Sequence, residues 1–326
     1  AAGEAAATDH PSVPLAEGRG EAGGGGGNEE PGDDSKGGRA AESDEPTATG
    51  GTDEAPRGAK PDDTPPEPAE ETAGGSEGGY NVVVVDACTA LGIPVGNTPG
   101  VLTDTTADFA FTLLTAAARR VIEGVHYVVE GEWKTWGPKL LLGQDIHGAT
   151  LGIVGFGRIG QAVAKRASGF DMRVIYYDPY VEASPPEIEA ESVDLATLLS
   201  TSDFVSVHVP LTDATHHLLG GEELSQMKPT AVLVNTARGP IVDPDALFVA
   251  LNEERLAAAA LDVTEPEPIP ADHPLLALPN CIVTPHIASG SVATRGKMAT
   301  MAADNLIVGL RGERLPNCVN PEVYGT

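Results

Sequence analysis

The stretch Leu151-Gly152-Ile153-Val154-Gly155-Phe156-Gly157-Arg158-Ile159-Gly160 decides the fold. Its short apolar run reads as a buried strand, and the G-x-G-x-x-G at 155, 157 and 160 stands where that strand turns into a helix. Gly155 permits the tight turn, Gly157 lets a pyrophosphate approach the backbone, and Gly160 lets helix and strand pack closely. The amides of Arg158 and Ile159 then face an anion at the positive end of the helix.

The next candidate strand, 173–177, is followed by Asp178, 23 residues after Gly155. A carboxylate there accepts hydrogen bonds from an adenosine ribose and repels a 2′-phosphate, so NAD is expected and NADP disfavoured. Further runs at 204–207, 231–234, 258–261 and 281–283 bring the expected strands to six. Helical patterns lie between them at 160–168, 195–201 and 245–252. The alternation specifies an α/β fold, a doubly wound parallel sheet of the Rossmann type. Residues 103–130 read as one long helix with Thr103 or Asp104 as its cap, and 292–310 as a last helix ended by Gly312.

The ends of the later strands carry reactive groups. Arg238 follows strand 231–234 in Asn235-Thr236-Ala237-Arg238-Gly239, Glu265 and Glu267 follow strand 258–261 in Asp262-Val263-Thr264-Glu265-Pro266-Glu267-Pro268, and His286 follows strand 281–283 in Pro285-His286-Ile287-Ala288-Ser289. Ligands bind at the carboxyl edge of such sheets. A guanidinium there holds a carboxylate bidentately, an imidazole gives or takes a proton near neutral pH, and a carboxylate beside it fixes its tautomer.

In this order and spacing, together with Asn97-Thr98-Pro99-Gly100, these runs resemble the D-2-hydroxyacid dehydrogenase family, most of all its glyoxylate and hydroxypyruvate reductases. The resemblance spans roughly residues 79–322. It implies hydride transfer between NAD(H) and a small 2-keto or D-2-hydroxy acid. Arg238 is then the substrate-binding residue, Glu267 rather than Glu265 the support of the histidine, and His286 the general acid or base. Thr236, Ala237, Asp262, Ile287, Ala288 and Ser289 line the nicotinamide, beside Arg238 and His286. The pair Gly78-Gly79 corresponds to the loop whose amides hold the substrate carboxylate. The resemblance also implies a homodimer, with the segment of Trp133 and Trp136 at its interface, although ordinary core packing is an equal reading of those rings.

The family pattern breaks ahead of Tyr80. Residues 1–79 hold 19 acidic against 5 basic side chains, are rich in glycine, and contain no aromatic residue. Such a tract cannot offset its ordering entropy and is expected to be disordered. It stands where the family places several βα units, so a truncated flavodoxin-like substrate domain is expected, made of 80–101 and 292–326 around an NAD-binding domain at 102–291. Val82–Val85 would be an unpaired strand. A shifted reading frame at the gene start is the favoured explanation. The rival functional reading is a non-catalytic NAD-binding regulatory module or degenerate paralogue. Phosphoglycerate chemistry is weaker still, for want of a basic pocket.

A net charge of -28 argues against nucleic acid as a partner. No apolar run approaches the roughly 20 residues of a spanning helix, and no signal peptide is legible, so no membrane contact and a cytoplasmic location are expected. Cys88, Cys281 and Cys318 are too scattered for a disulfide framework or metal cluster, and no metal is expected. His126, His147, His216 and His217 read as surface residues.

Overall fold

The computed structural model describes residues 84–325. The acidic tract and the Gly78-Gly79 pair lie outside the described residues. Three helices come first, α1 (Val85–Ala90), α2 (Thr103–Ala118) and α3 (Val121–Val129). The expected strand at Val82–Val85 is corrected where it is described. Val85 opens a helix, and Cys88 N donates to Val84 O over 3.1 Å. A valine run with no neighbouring strand satisfies its backbone locally instead.

The single helix expected over 103–130 is two helices. Arg120 adopts a left-handed conformation (φ 52°), and the Ala118 carbonyl, which a continuing helix would use internally, accepts the amide of Gln144 at 2.8 Å. α2 buries Ala107, Ala110, Phe111 and Leu114, whereas α3 buries nothing. Nor does Thr103 or Asp104 cap α2. Leu102 occupies that position without a side-chain bond.

The Rossmann unit follows: β1 (Thr150–Val154), α4 (Arg158–Ala167), β2 (Arg173–Tyr177), β3 (Glu191–Ser192), α5 (Leu195–Thr201), β4 (Phe204–Val207), α6 (Gly221–Gln226), β5 (Val232–Asn235), α7 (Pro244–Asn252), β6 (Ala258–Leu261) and β7 (Cys281–Val283). All strands are parallel, in the order β3-β2-β1-β4-β5-β6-β7. The sheet thus has seven strands rather than six. The extra one, β3, is a two-residue edge carrying no apolar side chain, so periodicity could not reveal it. Strand order reverses between β1 and β4, the position where such sheets open a crevice for ligands.

Both faces of the sheet are covered, which is why the strands are near-continuous apolar runs. Leu151, Ile153, Val174, Tyr176 and Phe204 pack under α2 and α4. Val154, Ile175, Val205, Val207 and Leu233 pack under α5, α6 and α7. The last helix, α8 (Val292–Leu310), starts at Ser291, whose hydroxyl accepts Thr294 N at 3.1 Å. The segments flanking the Rossmann unit are tied together: Gly96 pairs with Cys318, and buried Asn320 accepts Val95 N at 2.7 Å while donating to Ile93 O.

The turn after β1 explains its glycines. Gly155 has φ +93°, and a Cβ there would lie 2.6 Å from Val209 N; at Gly160 a Cβ would lie 2.2 Å from Gly155 O. Both obstacles are backbone, which cannot swing aside. Gly160→Ala is expected to cost about 1–3 kcal/mol, read as a lower urea midpoint with unchanged slope.

Candidate active site

The carboxyl edge of β5, β6 and β7 brings three loops side by side. After β5, buried Asn235 closes the loop on itself: its Nδ2 donates to Arg238 O at 2.9 Å and its Oδ1 accepts Ala237 N at 3.0 Å. This fixes the backbone from which half-buried Arg238 projects. After β6, buried Asp262 accepts Thr284 Oγ1 (2.6 Å), Ile287 N (2.9 Å) and Ala288 N (2.6 Å), and its carbonyl accepts His286 N. Asp262 therefore holds the loop after β7 in place. A buried carboxylate is tolerable here because three donors satisfy it.

His286 sits on that loop with φ 53°, an uncommon left-handed conformation for a non-glycine residue. Its Nδ1 lies 2.5 Å from Glu267 Oε1. Both side chains are about half exposed, so the contact contributes at most about 1 kcal/mol to stability and acts mainly to orient the ring. Glu265 turns elsewhere, its Oε2 lying 2.8 Å from His217 Nε2.

At the other end of the crevice no side chain caps α4 at Gly157. Asp178, at the end of β2, accepts Phe156 N at 2.7 Å and Tyr180 N at 2.8 Å, which sets its carboxylate across the glycine turn. Thr236 Oγ1 is buried without a hydrogen-bond partner, one of two such side-chain atoms among the described residues. An open helix N-terminus, a backbone cradle that a Cβ would fill, a carboxylate beside it and an orphaned hydroxyl fit a dinucleotide laid across the edge.

Residues 111–288, more than half of the chain, match the family model for the D-isomer specific 2-hydroxyacid dehydrogenase, NAD binding domain. The chain belongs to this family. It is an NAD-dependent oxidoreductase of 2-hydroxy acids. A glyoxylate reductase of Korarchaeum cryptofilum is 58% identical over 247 residues, covering 75% of this chain and 74% of that one. A glyoxylate reductase of Thermococcus litoralis is 51% identical over 253 residues, covering 75% of each. Among solved structures, a protein of Thermus thermophilus superposes with a TM-score of 0.70 at 51% identity, covering 74% of this chain and 76% of that one.

Of the residues singled out in the sequence, the structure of this dehydrogenase joins His286 to Glu267, and Asp262 to the loop of Ile287 and Ala288. It sets Gly155, Gly160 and Asp178 around one turn. Trp133 and Trp136 are exposed rather than part of a core. His216 is exposed and His217 half-buried, as expected of surface residues, and both face Glu265. Cys281 is a packing thiol whose pKa burial pushes up to about 12.

Sequence reasoning missed His208, which stands at the end of β4 against the glycine turn. Its amide donates to Val154 O, and its Nε2 lies 2.8 Å from Ser206 Oγ. Its place two residues before Pro210, at a strand end, is the signal that was available. Burial pushes its pKa from 6.5 down to about 3, so the folded ring stays neutral where the unfolded one is protonated. Stability contributed by this difference is complete above pH 6.5 and is lost as pH falls from there toward 3. Unfolding free energies from urea titrations between pH 7 and 5 are expected to fall more steeply for the natural protein than for His208→Gln, by up to about 1.4 kcal/mol per pH unit.

Proposed function

We propose that this dehydrogenase reduces glyoxylate, and more slowly hydroxypyruvate, to the corresponding 2-hydroxy acid, with Arg238, Glu267 and His286 as its working residues. The observation that carries the reading is the 2.5 Å Glu267–His286 contact on the sheet edge that also bears Arg238. The two closely related glyoxylate reductases support the substrate. NAD, when bound, supplies and accepts the hydride. The glycine turn and the amides of Arg158 and Ile159 hold its pyrophosphate, Asp178 its adenosine ribose, and Thr236, Ala237, Asp262, Ile287, Ala288 and Ser289 its nicotinamide end. Arg238 grips the substrate carboxylate through its planar fork and orients the carbonyl. Glu267 holds Nδ1 of His286, which leaves Nε2 to donate its proton to the carbonyl oxygen as the carbon is reduced. In the reverse direction the same nitrogen takes the hydroxyl proton.

The segments 80–101 and 292–326 form the substrate-domain part of the molecule in this reading, with 102–291 as the cofactor domain. Val121, Ile122, Val125, Val128 and Val129 of α3 stand exposed, as do Trp133 and Trp136 in the segment that follows, apolar surface of the kind that marks an interface. A second copy of the chain covers it, giving a homodimer. Among the described residues no helix is long and apolar enough to cross a membrane, and the enzyme works in the cytoplasm, on NADH.

Purified protein is expected to consume NADH with glyoxylate, less rapidly with hydroxypyruvate, and to favour NADH over NADPH. Absence of turnover across a keto-acid panel would overturn the reading.

A further inference from the structure

The loop between β4 and α6 carries two consecutive histidines in unusual surroundings. His217 holds a left-handed backbone (φ 49°), and its amide donates to Pro240 O at 2.7 Å, while Leu219 N donates to Ile241 O. The loop is thereby pinned to the segment that follows Arg238. The two rings stack with centroids 4.1 Å apart and 27° between planes. Both face one carboxylate: Glu265 Oε2 lies 2.8 Å from His217 Nε2, and Glu265 Oε1 lies 3.9 Å from His216 Nε2. One donor atom from each of the three residues lies within 4.8 Å of the others. On its far side, His217 Nδ1 looks toward Asp243 Oδ2 at 4.0 Å, and Asp243 is itself fixed by the amides of Asp245 and Ala246.

A surface ion pair accounts for His217 and Glu265 alone, and such a pair contributes about 0–1 kcal/mol. It leaves unexplained why a second imidazole is stacked on the first and turned to the same carboxylate. It also leaves unexplained the second carboxylate behind His217. We propose that His216, His217 and Glu265 form a site for a divalent cation of the zinc class, with Asp243 as the outer carboxylate that orients His217.

Two imidazole nitrogens and one carboxylate oxygen are the donors that zinc, cobalt and nickel take in preference to magnesium or calcium. Metal–ligand bonds of about 2.0–2.2 Å require donor atoms somewhat closer together than they stand, which a rotation of the exposed His216 ring provides. Nδ1 of His217 faces Asp243 Oδ2 at 4.0 Å, and a small approach would let that carboxylate hold a proton on Nδ1 and leave Nε2 as the ligand, the way outer carboxylates fix the tautomer of metal-bound histidines. The remaining positions go to water. The site is separate from the Glu267–His286 pair and does not depend on the hydride-transfer chemistry. When filled, it clamps the loop after β4 to the loop after β6.

Zinc chloride titrated calorimetrically into the full chain, without cofactor or substrate, is expected to show one site of high affinity. His216→Ala, a change at an exposed side chain, should weaken that site at least about tenfold, and Glu265→Gln should do the same. His286→Ala should leave it intact, and magnesium should not compete. Cobalt in place of zinc should give a visible absorption band that His216→Ala removes. Zinc binding of unchanged affinity and stoichiometry in His216→Ala, loss of the site in His286→Ala, or equal binding of magnesium would overturn the proposal.

Discussion

Replacing His286 with alanine is expected to lower kcat for glyoxylate reduction by about 10²- to 10⁴-fold, the range that a positioned general acid contributes. NADH affinity should change little, because the glycine turn and Asp178 that would bind the adenosine and pyrophosphate lie around β1 and β2, away from the β7 loop. Stability should also hold, since the ring is about half exposed and its contact with Glu267 is worth little in the ground state. Glu267→Gln should fall between the natural enzyme and His286→Ala. An amide accepts or donates at Nδ1, so the ring is no longer committed to one tautomer. Stopped-flow measurement of NADH binding beside steady-state turnover separates these effects. Equal kcat in natural and His286→Ala enzyme would remove the histidine from the chemistry.

Arg238→Lys is expected to reduce kcat/KM for glyoxylate by about 10- to 150-fold, corresponding to the loss of one of two charge-assisted hydrogen bonds at about 1.5–3 kcal/mol. Lysine keeps the charge but not the fork, so it can neither hold the carboxylate bidentately nor fix the carbonyl beside it. Most of the loss should enter through KM, with a smaller part through kcat from misorientation. Asn235 binds the backbone carbonyl of residue 238, which any side chain there retains, so the loop itself should persist. A lysine variant with unchanged KM would place the substrate carboxylate elsewhere.

Much of this was legible in the sequence because the chemistry sits at strand ends. β2, β4, β6 and β7 start and stop where the sequence places them, since strands covered on both faces are near-continuous apolar runs. The glycine spacing was equally readable, because backbone crowding at 155 and 160 leaves no alternative residue. What the sequence hid was set by contacts distant along the chain. The break between α2 and α3 depends on Gln144 reaching Ala118 O, and the two-residue β3 has no pattern of its own. The grouping of His216 and His217 with Glu265 joins residues nearly fifty positions apart. His208 was overlooked because its neutrality comes from burial, which no local motif announces. The trio itself could be placed on one edge from sequence, but the preference for Glu267 over Glu265 came from family spacing alone. In the structure the two glutamates go to different histidines, Glu267 to His286 and Glu265 to His217.

Hydride transfer from NADH to a keto acid at the edge formed by Arg238, Glu267 and His286 is what the proposed function requires of this chain. It is tested most directly by incubating the purified protein with NADH deuterated at the transferring position of C4 and unlabelled glyoxylate, then analysing the product by mass spectrometry. Glycolate carrying one deuterium on its hydroxyl-bearing carbon, formed by the natural protein and almost absent with His286→Ala, is the predicted result. Unlabelled product, or label that forms equally fast without His286, would contradict it.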